Sequence, residues 1–181
     1  MRKLIINTSA LLILVIPFFA NAQQPAATLK FSAPHGWVEE KASSTMRVAQ
    51  YKLPKETGDA EDASLVLYYF GQSGGGGISA NLERWVGQMK QPDGSDSKDK
   101  AKQHSLKVNG LTVTTIDLSG TYTAETAPGS GQFLNNPNYR LRAAVIETPK
   151  GSYYLKLVGP EKTVAKWNGS VTDFVKSFEW K

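Results

Sequence analysis

A run of glycines ahead of an amphipathic segment is the first place in this chain where residue types and spacing could do chemistry. Gly71-Gln72-Ser73-Gly74-Gly75-Gly76-Gly77 leads into Ile78, Leu82, Trp85, Val86 and Met89, which recur at helical spacing with Asn81 and Arg84 among them. Free backbone N–H groups and the positive end of a helix dipole meet at such a junction and can cradle an anion. The run lacks the Gly-Lys-Ser/Thr of a phosphate loop and the G-x-G-x-x-G of a dinucleotide site. A flexible connection between strand and helix explains it as well. Gly74, Gly75, Gly76, Asn81 and Arg84 therefore make a first candidate surface for a ligand or partner.

Arg140 and Arg142 make the second. Two residues apart in a stretch of strand character, they project to one face, opposite Leu141 and Ala143. Together with the 124–138 loop they could form an anion-receptive surface. The preferred expectation is plainer: a solvated outer sheet face, balanced by acidic neighbours such as Glu147.

Other chemistries find no footing. With no cysteine, thiol catalysis, thiolate metal sites and disulfides are excluded. His35 and His104 stand far apart in expected loops, without ligand spacing or a carboxylate partner, and read as surface residues. Asp93, Asp96 and Asp99 are three apart with Lys98 between them, unlike a calcium loop. No serine lies in G-x-S-x-G. Trp85 and Trp167 fall on apolar stripes, and packing is also the better reading of Trp37 and Trp180. No cofactor, metal site or catalytic residue is expected. A cell-envelope hydrolase is the rival reading and would need a cleft with a carboxylate pair or a His–carboxylate pair; Glu39, Glu40, Asp117 and Glu147 are carboxylates on offer, but no spacing singles them out.

These residues must work outside the cytoplasm. Met1-Arg2-Lys3, the apolar run Leu11-Leu12-Ile13-Leu14-Val15-Ile16-Pro17-Phe18-Phe19 and Ala20-Asn21-Ala22 stand in the order of a secretory signal. Cleavage is expected after Ala22, leaving one domain over residues 23–181 in the periplasm or beyond. The run is shorter than the roughly 20 residues that span a bilayer, and Gln23 stands where a lipoprotein would carry cysteine. No stable membrane anchor is therefore expected after cleavage. The formal charge of +5 is spread along the chain and loses Arg2 and Lys3 with the signal. That argues against a nucleic-acid partner, which needs a one-sided basic patch.

The elements that position the two surfaces are strands and two helices. Strands are expected over 28–31, 46–53 and 64–70, the last apolar on both faces and so central. The amphipathic helix follows, stopped by Pro92, and residues 93–104 read as a charged loop. A hairpin turns at Asn109-Gly110, with strands over 106–108, 111–118 and 120–123. A second hairpin turns at Thr148-Pro149-Lys150-Gly151. One closing helix begins near Pro160 and buries Val164, Trp167, Val171, Phe174, Val175 and Phe178. Strands, helix, strands, helix gives an α+β domain with an antiparallel sheet flanked by helices.

Phe31-x-x-Pro34-x-Gly36-Trp37, the hairpin at Gly110, the hairpin over 139–158 and the closing Phe174-Val175-Lys176-Ser177-Phe178 resemble the PsbP/Mog1-like fold, an α-β-α sandwich. The middle of the chain, with Tyr69-Phe70-Gly71 and Asn81-x-x-Arg84-Trp85, is similar to a group of uncharacterised exported bacterial proteins. Members of the wider fold are mostly non-enzymatic: photosystem II accessory subunits, small binders of a GTPase, and exported lipoproteins. The resemblance implies an exported binding or assembly-accessory protein, with a protein partner in the cell envelope favoured. This chain departs from the lipoprotein members in lacking the anchoring cysteine.

Overall fold

In the computed structural model, which describes residues 28–181, the strands carry apolar residues on both faces and the helices divide between those faces. The expected signal peptide and its cleavage site lie outside the described residues. β1 (Leu29–Lys30), β2 (Val38–Glu39), β3 (Arg47–Leu53) and β4 (Ala63–Tyr69) come first. α1 (Ile78–Val86), β5 (Met89–Lys90), α2 (Ser97–Lys100), β6 (Lys102–Val108), β7 (Leu111–Tyr122), β8 (Asn136–Thr148) and β9 (Gly151–Pro160) follow. α3 (Glu161–Lys166), α4 (Asn168–Lys176) and β10 (Glu179–Trp180) end the chain. The main sheet is antiparallel in the order β2-β3-β4-β9-β8-β7, and both β6 and β5 pair with the outer edge of β7. β1 and β10 form a separate pair that joins the start of the described chain to its end.

Alternation along each strand sorts the core into two layers. Leu65 and Leu67 of β4, Val113 of β7, Ala144 and Ile146 of β8, and Tyr153, Leu155 and Leu157 of β9 lie beneath α3 and α4. Those helices supply Val164, Val171, Phe174 and Val175. On the other face Ile116, Leu118, Leu141, Ala143, Val145 and Tyr154 meet Leu82, Trp85 and Val86 of α1. Burying each large side chain contributes about 2 kcal/mol. The result is the expected α+β sandwich, with β4 inside the sheet.

Several boundaries differ from expectation, each for a specific reason. The first helix ends at Val86 rather than near Pro92, because Gly87 caps it and Met89 leaves to pair with Tyr122. The charged stretch 93–104 is not all loop. Asp96 accepts a hydrogen bond from the Lys98 amide (2.8 Å) and caps α2, and from Lys102 onward the chain follows the free edge of β7. The strands expected at 111–118 and 120–123 are one strand. The closing helix is broken at Trp167, whose indole N–H is held by the Pro54 carbonyl at 2.8 Å, so α3 and α4 are separate. Asn109 and Gly110 both have positive φ (48° and 85°), as a two-residue hairpin turn requires, and fix the β6–β7 register.

Candidate functional site

Counting from that turn places Lys102 of β6 directly across from Asp117 of β7, and the β7–β8 register places Arg142 on the other side of Asp117. Residues paired across antiparallel strands share a face, so one carboxylate sits in a row between two cations. Arg140, opposite Ser119, reaches diagonally to the same carboxylate. Its Nε and Nη2 donate to the two Asp117 oxygens at 2.7 and 2.5 Å, a bidentate pair. Arg142 approaches Asp117 at 3.6 Å and donates to the Asn168 side chain at 2.7 Å, at the start of α4.

Arg140 and Arg142 thus do not lie on a solvated outer face, and their acid is Asp117, not Glu147. Their parity is that of Ala144 and Ile146, so they extend the layer under α3 and α4 beyond its apolar part. The Asp117 hydrogen bonds raise the pKa of Arg140, whereas burial lowers that of Arg142. Glu147 is exposed.

Two hollows flank this network and share Lys102 and Asp117. One, of about 130 Å³, runs between β6 and α4 past His104, Thr115 and Arg142. The other, of about 330 Å³, lies toward α3 and is lined by Lys100, Ser119, Arg140 and Glu161. Across both, Lys100, Lys102, Arg140 and Arg142 face only Asp117 and Glu161, so the groove carries an excess of positive charge. Lys100, Lys102 and His104 are exposed on its rim. No residue of the 124–138 loop lines either hollow.

Chemically the groove can hold an anionic group, and its His–carboxylate combination in the smaller hollow, His104 with Asp117, has the carboxylate tied up by Arg140. Of the four carboxylates considered for a hydrolase, only Asp117 enters it, with both oxygens bound by Arg140. Glu161, the other acid, accepts from the Ser119 hydroxyl at 2.7 Å. Among the described residues no group of three or more His, Cys, Asp and Glu side chains is placed to hold a metal.

The first candidate surface lies on the opposite face of the sheet. Asn81 is buried, and its amide donates to the carbonyls of Gly75 and Gly77 while its Oδ1 accepts from Arg84. The Tyr154 hydroxyl donates to the Gly76 carbonyl at 3.1 Å. Gly75 has φ +85°, and a Cβ there would lie 2.8 Å from the Tyr154 ring and 2.9 Å from that of Phe70. The loop is therefore fastened to the core by Asn81, and only Arg84 of this group extends an exposed charge.

Sequence reasoning found Arg140 and Arg142, and read His104 as the surface residue it is, but missed Lys102, Asn168 and Glu161. The signal for Lys102 was present, since residues 102 and 117 follow from the Asn109-Gly110 turn by counting. Nothing comparable marks Asn168 or Glu161, which arrive with the break at Trp167 and the end of β9. Among the described residues no helix is long and apolar enough to cross a membrane.

No family model matches this chain. No curated protein matches it either. Among solved structures it is similar to LpqN, described as involved in cell envelope biogenesis of Mycobacterium tuberculosis, with 10% identity and a TM-score of 0.52 over 89% of this chain and 87% of that one. It is also similar to PA94 of Pseudomonas aeruginosa, a protein of unknown function, with 13% identity and a TM-score of 0.47 over 78% of this chain and 94% of the other. The likeness to LpqN is one of fold: an antiparallel sheet between helices, shared across nearly the whole described chain.

Proposed function

We propose that this chain is an exported, non-catalytic binding or assembly-accessory protein of the cell envelope, and that its groove beside β6 receives an acidic segment of a protein partner. The observation that carries the reading is the unequal charge of that groove, four basic side chains against two acidic ones, with Lys100, Lys102 and His104 exposed at its rim. A protein surface of this kind steers and orients an acidic partner. The likeness of fold to LpqN, an envelope-biogenesis protein, supports an envelope role. The resemblance to the PsbP/Mog1-like fold supports binding over catalysis.

The test is capture from the native envelope fraction with the exported full chain, whose mature N-terminus is sequenced to check cleavage after Ala22. Wild type is compared with the double variant Lys102→Glu/His104→Glu, which changes rim residues without entering the core. One reproducible protein partner is expected, released by salt and lost in the variant. Equal capture by the variant would remove the groove from the reading. Capture of no protein would return the hydrolase alternative and direct the search to small molecules.

A further inference from the structure

On the α1 face a lysine sits at the border between covered and open sheet. The apolar layer under α1 draws its buried strand residues from β5, β7, β8 and β9 and none from β2, β3 or β4. Lys156 of β9 lies at that border, opposite Ala143 of β8 on one side and Val66 of β4 on the other. Val66 is 5% exposed yet belongs to neither apolar layer, and its other strand neighbour is Gln50.

The Lys156 ammonium donates to Gln88 Oε1 at 2.5 Å and to the Tyr122 hydroxyl at 3.0 Å, and stands 5.1 Å from the centre of the Tyr122 ring. Both partners are neutral. Arg84 of α1, exposed and four residues before Gln88, adds its charge from that side. Arg47 lies 5.6 Å over the Tyr68 ring, which stacks on Phe70, and Tyr122 stacks on Tyr139. None of the ion pairs among the described residues involves Lys156, Arg84 or Arg47. A half-buried ammonium without a counter-charge, near a second cation, is unfavourable unless something anionic completes it.

We propose that Lys156 and Arg84 bind the oxyanion of a small ligand, a carboxylate or phosphate, with Tyr122 and Tyr68 flanking the body that carries it. The ammonium has a third proton to give after Gln88 and Tyr122. The Arg84 guanidinium gives one Nη2 proton to Asn81 Oδ1 and keeps its other donors on the exposed side. The site lies on the opposite face of the sheet from the Arg140–Asp117 groove and stands or falls independently of the reading given to that groove.

The test is NMR of the exported full chain, following the Lys156 Cε signal while phenyl phosphate, benzoate or inorganic phosphate is added. Saturable binding of phenyl phosphate or benzoate is expected, and which of the two binds tighter identifies the oxyanion. Inorganic phosphate is expected to bind more weakly because it has no ring to meet the tyrosines. Lys156→Met and Arg84→Gln are each expected to weaken binding at least about tenfold, the loss of one charge-assisted hydrogen bond. Lys41→Met, at an exposed lysine, is expected to leave it unchanged. Binding is also expected to weaken as pH rises from 7 to 9, because the free ammonium loses its proton in that range while the bound one keeps it. No saturable shift up to about 10 mM of any probe, the weak end of specific affinity, would overturn the proposal. So would undiminished binding in either variant.

Discussion

Asp117 is held by Arg140 through two parallel hydrogen bonds of 2.7 and 2.5 Å, across neighbouring strands and beneath two helices. The Arg140 side chain is 18% exposed and that of Asp117 29%, which places the pair between a surface bridge and a buried one. A break in it is therefore worth about 2 kcal/mol. The two ends are not equivalent. Asp117→Asn leaves Arg140 and Arg142 facing each other without an acid between them, whereas Arg140→Met leaves Asp117 with Arg142 at 3.6 Å. Urea unfolding is expected to show the larger loss for Asp117→Asn, and the reverse order would mean that Arg142 does not share the carboxylate.

The glycine loop gives a second contrast. Gly75→Ala combines a positive φ with contact against Tyr154 and Phe70, and is expected to cost about 2 kcal/mol. Asn81→Ala leaves the Gly75 and Gly77 carbonyls without their donor, also about 2 kcal/mol. Gly77→Ala meets nothing within 4 Å at an ordinary φ of −68°, and is expected to change stability by under about 1 kcal/mol. Thermal unfolding of the three variants measures this. Three equal and small losses would mean the loop is a loose tether after all.

Asn109 serves the hairpin turn and the last helix together. Its amide donates to the carbonyls of Lys176 and Phe178 at 3.2 and 3.0 Å, while its own φ is 48°. Asn109→Gly keeps the turn and loses the two bonds, about 1 kcal/mol. Asn109→Ala loses the bonds and adds left-handed strain, about 1 kcal/mol more. Chemical denaturation that ranks the two variants equally would show that the turn is not strained by a β-carbon.

How far the sequence could be read follows from which interactions are local. The Asn109-Gly110 turn and the alternation in 153–158 are short-range patterns, and both strands and hairpins lie where they indicate. Gly87 and Trp167 break helices whose apolar spacing runs on past them, because a cap and a distant carbonyl outweigh periodicity there. Asp117 stands in the sequence as one of four carboxylates that no spacing singles out, for a similar reason. Its role depends on Lys102, Arg140 and Arg142 arriving from two other strands, and only a register makes them neighbours. Strand alternation alone puts Lys156 on the face away from Tyr153, but the neutral partners around it come from β7 and from the residue before β5.

The same Lys156 makes a prediction about stability that needs no ligand. Burial, reinforced by the charge of Arg84, pushes its pKa from 10.5 down to about 8. The groups around it are Arg84 and Gln88 from the α1 side and Tyr122 and Tyr68 from the sheet, and none of them is acidic. Below pH 8 the lysine is charged in both folded and unfolded chains, and the folded chain bears the full penalty of desolvating it. Between pH 8 and 10.5 the unfolded chain binds the proton and the folded chain does not, so the wild type gains stability as pH rises. Lys156→Met removes the penalty and leaves an apolar chain of similar length beside Val66. At pH 7 the variant is expected to be more stable by on the order of 1–3 kcal/mol, the upper end being the whole shift and the lower allowing for the lost hydrogen bonds and partial exposure. Tyr122, itself pushed up to about 12 by burial, stays protonated throughout a series from pH 7 to 10. Urea unfolding across that series should show the advantage of the variant shrinking above pH 8. An advantage that is constant with pH would mean that the ammonium is solvated in the folded chain. A loss of stability at pH 7 would mean that its two hydrogen bonds outweigh its burial.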